Sequence, residues 1–308
     1  MKDKILFSRN PQSAAGNELR QSLKPGKRSG SGGFTMGEMV IVIAIIAILA
    51  ALITPLAVDQ ILQGRYDACR EELDVIKKAI VGDPTLVEGG VRSSFGFVGD
   101  VGAIPNNLQE LVTWDAARPA YEQYGSTGMF YGWRGPYVSD TNDPWGRPYS
   151  YFFTGTTIAS DNTRVWIWSV GPDGIDNSMD DVNPGISGDG NYGDDSVIVR
   201  ITQDEMFSMV SGNTLDETMV SVTYTAIQID FPNGARDDGD QSNEVYSHSL
   251  VSAPAINYLN PPVYVSTVFI PIGIRRIQYT TDDGTNGQRL IYINNGPMTV
   301  VNLVDPLN

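Results

Sequence analysis

One apolar segment constrains the fold of this chain more than any other feature. From Phe34 to Val58 there are 25 residues and a single charge, that of Glu38. A helix of this length, rising about 1.5 Å per residue, spans the ~30 Å hydrocarbon core of a membrane. A carboxylate that faces lipid costs roughly 2.5 kcal/mol or more. Glu38 therefore indicates a functional site that needs a partner.

The charge of the chain is unevenly distributed around this segment. The formal net charge is −15, but residues 1–33 carry seven basic and two acidic side chains, so the remainder carries about −20. Basic residues before an apolar span predict that residues 1–33 are cytoplasmic and that the rest faces outward. The acidic remainder argues against nucleic acid as a partner, because binding there depends on neutralising phosphates.

Neither a secretory signal peptide nor a plain membrane anchor accounts for every feature of the apolar segment. A secretory signal peptide has an apolar core of about 7–15 residues and a small-residue cleavage site after it, and neither is found here. A plain membrane anchor explains the length and the charge bias. It does not explain Glu38 or the flexible sequence SGSGG at residues 29–33.

The motif GFTMGE at residues 33–38, followed by the apolar helix, resembles the class III signal of type IV pilins and type II secretion pseudopilins. The resemblance implies that a prepilin peptidase cleaves between Gly33 and Phe34 on the cytoplasmic side, and that Phe34 is then N-methylated. Glu38 lies where the family places its glutamate. Pro55 lies where many members have a helix-loosening proline.

The resemblance also implies a partner for Glu38 in another subunit. Cleavage leaves a positive amine on Phe34, which can lie beside Glu38 of a neighbouring copy in a filament. Because a buried charge needs a partner, a subunit out of register would leave Glu38 unpaired. The implied partners are further copies of this chain, minor pilins or pseudopilins, and an inner-membrane assembly platform.

The resemblance further implies a location. The chain would first cross the bacterial inner membrane once, with its head outside the cytoplasm. It would then enter a periplasmic pseudopilus or an extracellular filament, and the sequence leaves the choice between these two polymers open.

The residues after Pro55 predict an amphipathic helix that packs under a sheet. Apolar side chains recur there at spacings of three and four, which places them on one helix face: Leu62, Tyr66, Cys69, Leu73, Ile76 and Ile80. The single cysteine, Cys69, lies on this face and is expected to be buried. The predicted helix covers residues 34–82, with a break or unwinding near Pro55, and its first part, 34–58, crosses the membrane.

Residues 83–202 are expected to form a small antiparallel-sheet head of the pilin type, which makes the chain α+β. The run DPWGRPY at 143–149 resembles a motif of the major type II pseudopilins, and it predicts a turn at Asp143-Pro144 with Gly146 at positive φ. Residues 165–170 predict a strand. The two tryptophans in that strand, Trp166 and Trp168, could form a carbohydrate platform, but core packing is the favoured interpretation.

An acidic loop at residues 171–195 carries seven aspartates and no lysine or arginine. Clustered carboxylates repel each other unless they are solvated or bridged by a cation, and Ca²⁺ prefers oxygen ligands in glycine-rich loops. A solvated loop without metal remains the alternative. The resemblance to the major pseudopilins favours calcium and implies as best ligands Asp173, Asp194 and Asp195, with Asp180 and Asp181 as further candidates.

The last hundred residues predict an additional β region. A polar link is expected at 203–216, followed by a sandwich-like all-β domain at 217–308. The alternation of apolar residues changes phase between Tyr224 and Ile227, which predicts a bulge. Residues 282–287 predict the turn of a hairpin.

Two classes of function are compatible with these features. The first is a structural subunit that polymerises through its N-terminal helix. The second is a membrane-anchored extracellular binding module or hydrolase that uses the acidic loop, since paired carboxylates can serve glycoside chemistry. The chain has one cysteine and one histidine, His248, which weakens any thiol, histidine or zinc mechanism. His248 is expected to be an ordinary polar strand residue.

Overall fold

A computed structural model describes residues 33–155, 163–172, 174, 197–213, 224–234, 244–253, 263–281 and 284–302. The chain divides into two compact units, Met1–Ala57 and Val58–Asn308.

The described part of the first unit consists of residues 33–35, which have no regular secondary structure, and the start of helix α1 (Met36–Val81). Within the described residues this is the one helix long and apolar enough to cross a membrane, and its most apolar window is not buried by the chain. The predicted break near Pro55 is wrong, because the backbone is helical on both sides of that residue. One proline removes only one helical N–H donor, and Thr54 Oγ1 donates to the carbonyl oxygen of Ala50 at 2.7 Å.

The second unit begins with the amphipathic part of α1, where the predicted apolar stripe is confirmed. Cys69, Leu73, Ile76 and Ile80 are buried at 0–2% exposure. They pack in the first hydrophobic core, which the head and the start of the C-terminal region share. The helix ends at Val81 because Gly82 takes a left-handed φ of 75°, where a Cβ would lie 2.5 Å from the Cα of Phe95.

Short elements and one sheet follow α1 in the head. They are β1 (Val87–Glu88), β2 (Val91–Arg92), α2 (Gly96–Val101), a 3-10 helix (Leu108–Leu111), β3 (Glu122–Gln123), β4 (Phe130–Tyr131), β5 (Ser150–Thr154), β6 (Arg164–Ser169) and β7 (Val197–Ile201). The last three form an antiparallel sheet in the order β5-β6-β7. Val165, Ile167 and Ile201 point from this sheet into the first core.

Strands dominate the C-terminal region. Its elements are α3 (Gln203–Met206), β8 (Phe207–Asn213), β9 (Tyr224–Pro232), β10 (Val245–Ser249), β11 (Val251–Ala253), β12 (Val263–Val265), β13 (Ile270–Pro271), β14 (Gly273–Thr281), β15 (Asn286–Ile293) and β16 (Met298–Asn302).

These strands form two sheets that enclose a second core. One sheet has the order β10-β9-β14-β15, and the other has the order β11-β12-β8-β13 with β16 parallel to β8. Residues of both sheets meet in one buried cluster, including Ile229 and Ile277 from the first sheet and Val210 and Tyr264 from the second. The expected sandwich-like, all-β character of this region is therefore confirmed.

The predicted bulge and hairpin are present. Thr280 pairs with Ala226 and Thr281 with Tyr224, so Thr225 is the extra residue on β9. Strands β14 and β15 pair in antiparallel register from Gly273–Ile293 to Thr280–Asn286. The predicted turn at 282–287 is therefore two residues too long, because Asn286 and Gly287 already belong to β15.

The predicted link is wrong over its first eleven residues. Residues 203–206 form α3 and residues 207–213 form β8, which pairs with strands on both of its sides. Met206 and Phe207 belong to the first core, whereas Val210 belongs to the second. The segment is therefore shared by both cores because its alternate side chains point into different layers.

Buried arginines tie the head to the C-terminal sheets. Arg275 is fully buried, and its guanidinium donates to the carbonyl oxygens of Gly99 at 3.0 Å, Pro271 at 3.0 Å and Ile274 at 3.1 Å, and also to that of Ile272. Burial lowers the pKa of Arg275 to about 9, so the side chain is still charged at neutral pH.

Arg118 makes a second connection from the head. It pairs with Glu110 at 2.9 Å and donates to the carbonyl oxygens of Gly234 at 2.7 Å and Ile104 at 3.0 Å. Both arginines satisfy backbone acceptors that would otherwise be buried without a donor.

Candidate functional site

The start of α1 is held by a reciprocal cap between Thr35 and Glu38. The Glu38 carboxylate accepts from the Thr35 backbone N–H at 2.8 Å and from its hydroxyl at 3.0 Å. The Glu38 N–H donates back to Thr35 Oγ1 at 3.2 Å. This is a capping box, with threonine at the N-cap and glutamate three residues later.

The capping box explains part of what Glu38 does within a single chain. The carboxylate satisfies a backbone donor that an uncapped helix would leave without a partner, and it adds negative charge at the positive end of the helix dipole. Sequence reasoning missed this role although the T-x-x-E pattern was visible at residues 35–38.

The residues of the predicted cleavage site are exposed. Phe34 is 77% exposed, and a Cβ built on Gly33 would meet no atom within 4 Å. Gly33 and Phe34 are therefore both exposed among the described residues, and residues 1–32 lie outside that range.

The membrane-length part of α1 presents apolar side chains on every face. Exposure is 61% for Ile43, 63% for Leu52 and 65% for Leu56, and Pro55 is exposed as well. A helix that is apolar all round belongs in lipid or among other apolar helices. No described residue of the chain covers this apolar surface.

The predicted turn at Asp143-Pro144 is confirmed and is built around the Asp143 carboxylate. Oδ1 accepts from the N–H groups of Trp145 at 3.0 Å and Arg147 at 2.8 Å, while Oδ2 accepts from the Ser169 hydroxyl at 2.6 Å. Gly146 has a φ of 81°, as expected. The motif is therefore scaffold: it fixes the end of β6 against the turn.

The same motif reaches the entrance of the acidic loop. The Arg147 guanidinium donates to the carbonyl oxygens of Gly171 and Pro172, the latter at 3.0 Å. The Ser169 hydroxyl accepts from the Gly171 N–H at 3.0 Å. The first residues of the loop are thus anchored by the turn that precedes them in the chain.

The predicted calcium ligands lie outside the described residues. This applies to all five of them: Asp173, Asp180, Asp181, Asp194 and Asp195. Among the residues that the structure does describe, no group of three or more His, Cys, Asp or Glu side chains could hold a metal ion. The calcium site therefore stays a prediction.

Three side chains considered as possible functional groups are buried. Trp166 and Trp168 are 7% and 6% exposed, which confirms core packing over a carbohydrate platform. His248 lies on β10, where burial lowers its pKa and its Nε2 is 3.2 Å from the Thr267 N–H. Each of the three has a structural role in place of a catalytic one.

Cys69 is buried against the Tyr149 and Glu72 side chains. The Tyr149 hydroxyl lies 3.7 Å from Cys69 Sγ and donates to Glu72 at 2.7 Å. Burial raises the pKa of Cys69 and of Tyr149. A thiol with a raised pKa is a poor nucleophile, so the expectation of a buried apolar cysteine is confirmed.

Comparison with known proteins relates this architecture to a bacterial secretion system. Residues 100–184 match the family described as type II secretion system protein G. The type II secretion system core protein G of Klebsiella pneumoniae is 31% identical over 150 residues, which cover 49% of this chain and 91% of that protein. The core protein G of Pseudomonas aeruginosa is 26% identical over 155 residues, or 50% of this chain and 92% of that protein.

No solved structure matches the chain at a significant level. Nearly the whole length of both relatives corresponds to about half of this chain.

Proposed function

The chain belongs to the family of the type II secretion system core protein G, and from this membership we propose that it is a pseudopilin subunit that polymerises through α1. Its role in type II secretion is structural, and it is not an enzyme. Membership of this family also decides against the membrane-anchored hydrolase. The observation that carries the polymerisation proposal is the exposed apolar first half of α1.

Processing is the first finer step of the proposal. A prepilin peptidase cleaves between Gly33 and Phe34, and Phe34 is then N-methylated. The exposure of Gly33 and Phe34 supports cleavage at this bond, and the net positive charge of residues 1–33 supports their cytoplasmic location. Before assembly the apolar helix anchors the subunit in the membrane with its head outside the cytoplasm.

Assembly then gives the exposed helix its partners. In a bundle of such helices, apolar faces pack on each other and leave the lipid. The new amine on Phe34 carries a positive charge, and Glu38 of a neighbouring subunit supplies the negative one. Before that amine is present, the capping box keeps the carboxylate hydrogen-bonded to Thr35. This hydrogen bonding lowers the free-energy cost of burying the charge in lipid.

We also propose that the acidic loop binds Ca²⁺, with Asp173, Asp194 and Asp195 as the main ligands and Asp180 and Asp181 as further candidates. The donor set is chemically suitable, because carboxylates and backbone carbonyls are the ligands that Ca²⁺ prefers. When bound, the ion neutralises carboxylates that would otherwise repel each other. The anchoring of Gly171 and Pro172 by Arg147 supports a loop with a fixed entrance.

Other pseudopilins, the prepilin peptidase and the inner-membrane assembly platform are the proposed partners. The polymer is a periplasmic pseudopilus in the first instance. A long extracellular filament is the alternative outcome of the same assembly reaction.

Mass spectrometry of the N-terminal peptide tests this proposal. We expect a peptide that begins at methylated Phe34 in cell-retained protein, and a Gly33→Leu variant that retains residues 1–33. The same peptide in a shear-released surface fraction would favour the extracellular filament. If residues 1–33 remain attached in every fraction of the wild type, the pseudopilin proposal fails and Glu38 needs another partner.

A Glu38→Gln variant separates assembly from processing. It keeps the side-chain shape and one acceptor for the Thr35 cap, but it loses the charge that pairs with the amine. We expect normal cleavage at Phe34 and strongly reduced sedimenting polymer. Wild-type amounts of polymer would show that the Glu38 charge is not used in assembly.

A further inference from the structure

A groove lies between the amphipathic part of α1 and the loop at residues 138–142. It encloses about 340 Å³. Its floor is apolar and includes Val75, which is 54% exposed, and Val138. Three carboxylates stand at the rim, from Glu71, Glu72 and Asp140. Ile76, Val138 and Tyr149 line the groove from the side of the first core.

The negative charge of the groove is not balanced by the described part of the chain. No lysine or arginine is among the lining residues, and none of the three rim carboxylates forms an ion pair in the described ranges. Glu72 accepts from the Tyr149 hydroxyl, and Asp140 accepts from groups of its own loop. An apolar floor with an acidic rim suits a long basic side chain, whose methylene stem packs on the floor while its head meets the carboxylates.

The same helix carries a basic side chain without a partner. Arg65 is exposed, and within the described residues it forms neither an ion pair nor a side-chain hydrogen bond. Arg65 precedes Glu71 by six residues, which is about 9 Å along a helix. Six residues also turn the helix by about 600°, so the two side chains lie on faces roughly 120° apart.

Arg65 and the groove are complementary in charge but are not paired in the described part of the chain. Glu72 lies on nearly the same helix face as Arg65, about 10 Å further along the axis, yet Arg65 forms no ion pair with it. An equivalent arginine of another copy can therefore occupy the groove. Because donor and groove are different surfaces, their contact is heterologous, and each subunit keeps one free donor and one free groove after pairing. Such a contact propagates into a chain of subunits and does not stop at a dimer.

We propose that the groove bounded by Glu71, Glu72 and Asp140 receives Arg65 of a second copy of this chain. The inference rests on the proposed polymerisation through α1 and names a contact between the heads of neighbouring subunits. Subunits drawn from one membrane share one orientation, so their helices run parallel. An axial offset of about 9 Å between neighbours then places Arg65 of one copy level with Glu71 of the next.

Disulfide trapping in the assembled polymer tests the contact. The full chain carries Arg65→Cys together with Glu71→Cys, and the natural Cys69 is buried and serves as an inert background. Two helical residues about 9 Å apart exceed the Cα separation that a disulfide allows within one chain. We therefore expect a ladder of covalent multimers on a non-reducing gel of the sedimented polymer. Each single-cysteine variant should give at most dimers.

A second cysteine pair controls for random collision on the helix surface. Arg70→Cys together with Lys78→Cys also places two exposed cysteines on α1, but neither lies at the proposed contact, and no ladder is expected. Sedimented polymer that contains processed Phe34 but shows no ladder for the Arg65/Glu71 pair overturns the contact and leaves the proposed function intact. Absence of any polymer in the wild type overturns the proposed function instead.

Charge reversal gives an independent readout. Arg65→Glu should lower the amount of sedimenting polymer by about tenfold, because it sets a carboxylate against an acidic rim. The double variant Arg65→Glu with Glu71→Arg should recover most of that loss. Equal polymer in the single variant and the wild type, or a double variant no better than the single one, would show that Arg65 does not occupy the groove.

Discussion

Arg275 provides the strongest test of how the head and the C-terminal sheets are joined. The side chain is fully buried and donates to four backbone carbonyls, one of which, Gly99, belongs to α2 in the head. We consider the substitution Arg275→Met, which preserves much of the side-chain length and packing but removes every donor. The four carbonyl oxygens then lose their charged partner.

The magnitude follows from two opposing terms. A hydrogen bond from a charged donor contributes about 1.5 kcal/mol or more, so four of them amount to roughly 6 kcal/mol. Removing the buried charge also relieves a desolvation penalty of several kcal/mol. The difference leaves an expected net loss of about 3 kcal/mol, against a total stability on the order of 5–15 kcal/mol.

Thermal unfolding of the processed full-length chain in detergent micelles measures this loss. For a unit of this size, about 3 kcal/mol lowers the midpoint by roughly 6–12 °C. The matched control is Arg200→Met, the same substitution at an exposed position of β7, where we expect a change below about 0.5 kcal/mol. If the two variants unfold within about 2 °C of each other, the reasoning is refuted and Arg275 does not stabilise the joint.

Three further predictions concern single groups. Burial raises the pKa of Asp100 to about 6, so the stability that its bound proton adds is present below about pH 4 and is lost as pH rises through 6. In the wild type, the free energy of unfolding from urea denaturation should therefore fall by about 3 kcal/mol between pH 4 and 7 because of this group. In the Asp100→Asn variant this pH dependence should be absent. Gly102→Ala should lower the free energy of unfolding by about 3 kcal/mol or more, because φ is 84° and a Cβ would lie 1.9 Å from the Pro232 carbonyl oxygen. Gly146→Ala has a similar φ of 81° but open space around the added Cβ, so it should lower the free energy of unfolding by about 1 kcal/mol. Removing calcium with EGTA should lower the thermal midpoint of the wild type, and an unchanged midpoint would refute the loop as a calcium site.

Local features of the chain could be predicted because they depend on neighbouring residues alone. The apolar run of α1 and its amphipathic stripe follow from helical periodicity. The turn at Asp143 and the bulge at Thr225 follow for similar reasons. The capping box of Thr35 and Glu38 is equally local, and the T-x-x-E pattern at residues 35–38 is enough to predict it.

Features that join distant parts of the chain required the tertiary structure. Residues 203–213 look polar and link-like, yet Phe207 and Val210 point into two different cores. No local pattern shows that Arg275 is buried or that Gly99, 176 residues away in sequence, accepts its hydrogen bond.

The groove proposed to receive Arg65 of another copy also required the tertiary structure, because its two walls come from α1 and from residues 138–142. Sequence by itself therefore determined the anchor, the local turns and the strand content. The tertiary structure decided which of these elements share a core and which charges are left unpaired, since both depend on contacts between residues that are distant in the chain.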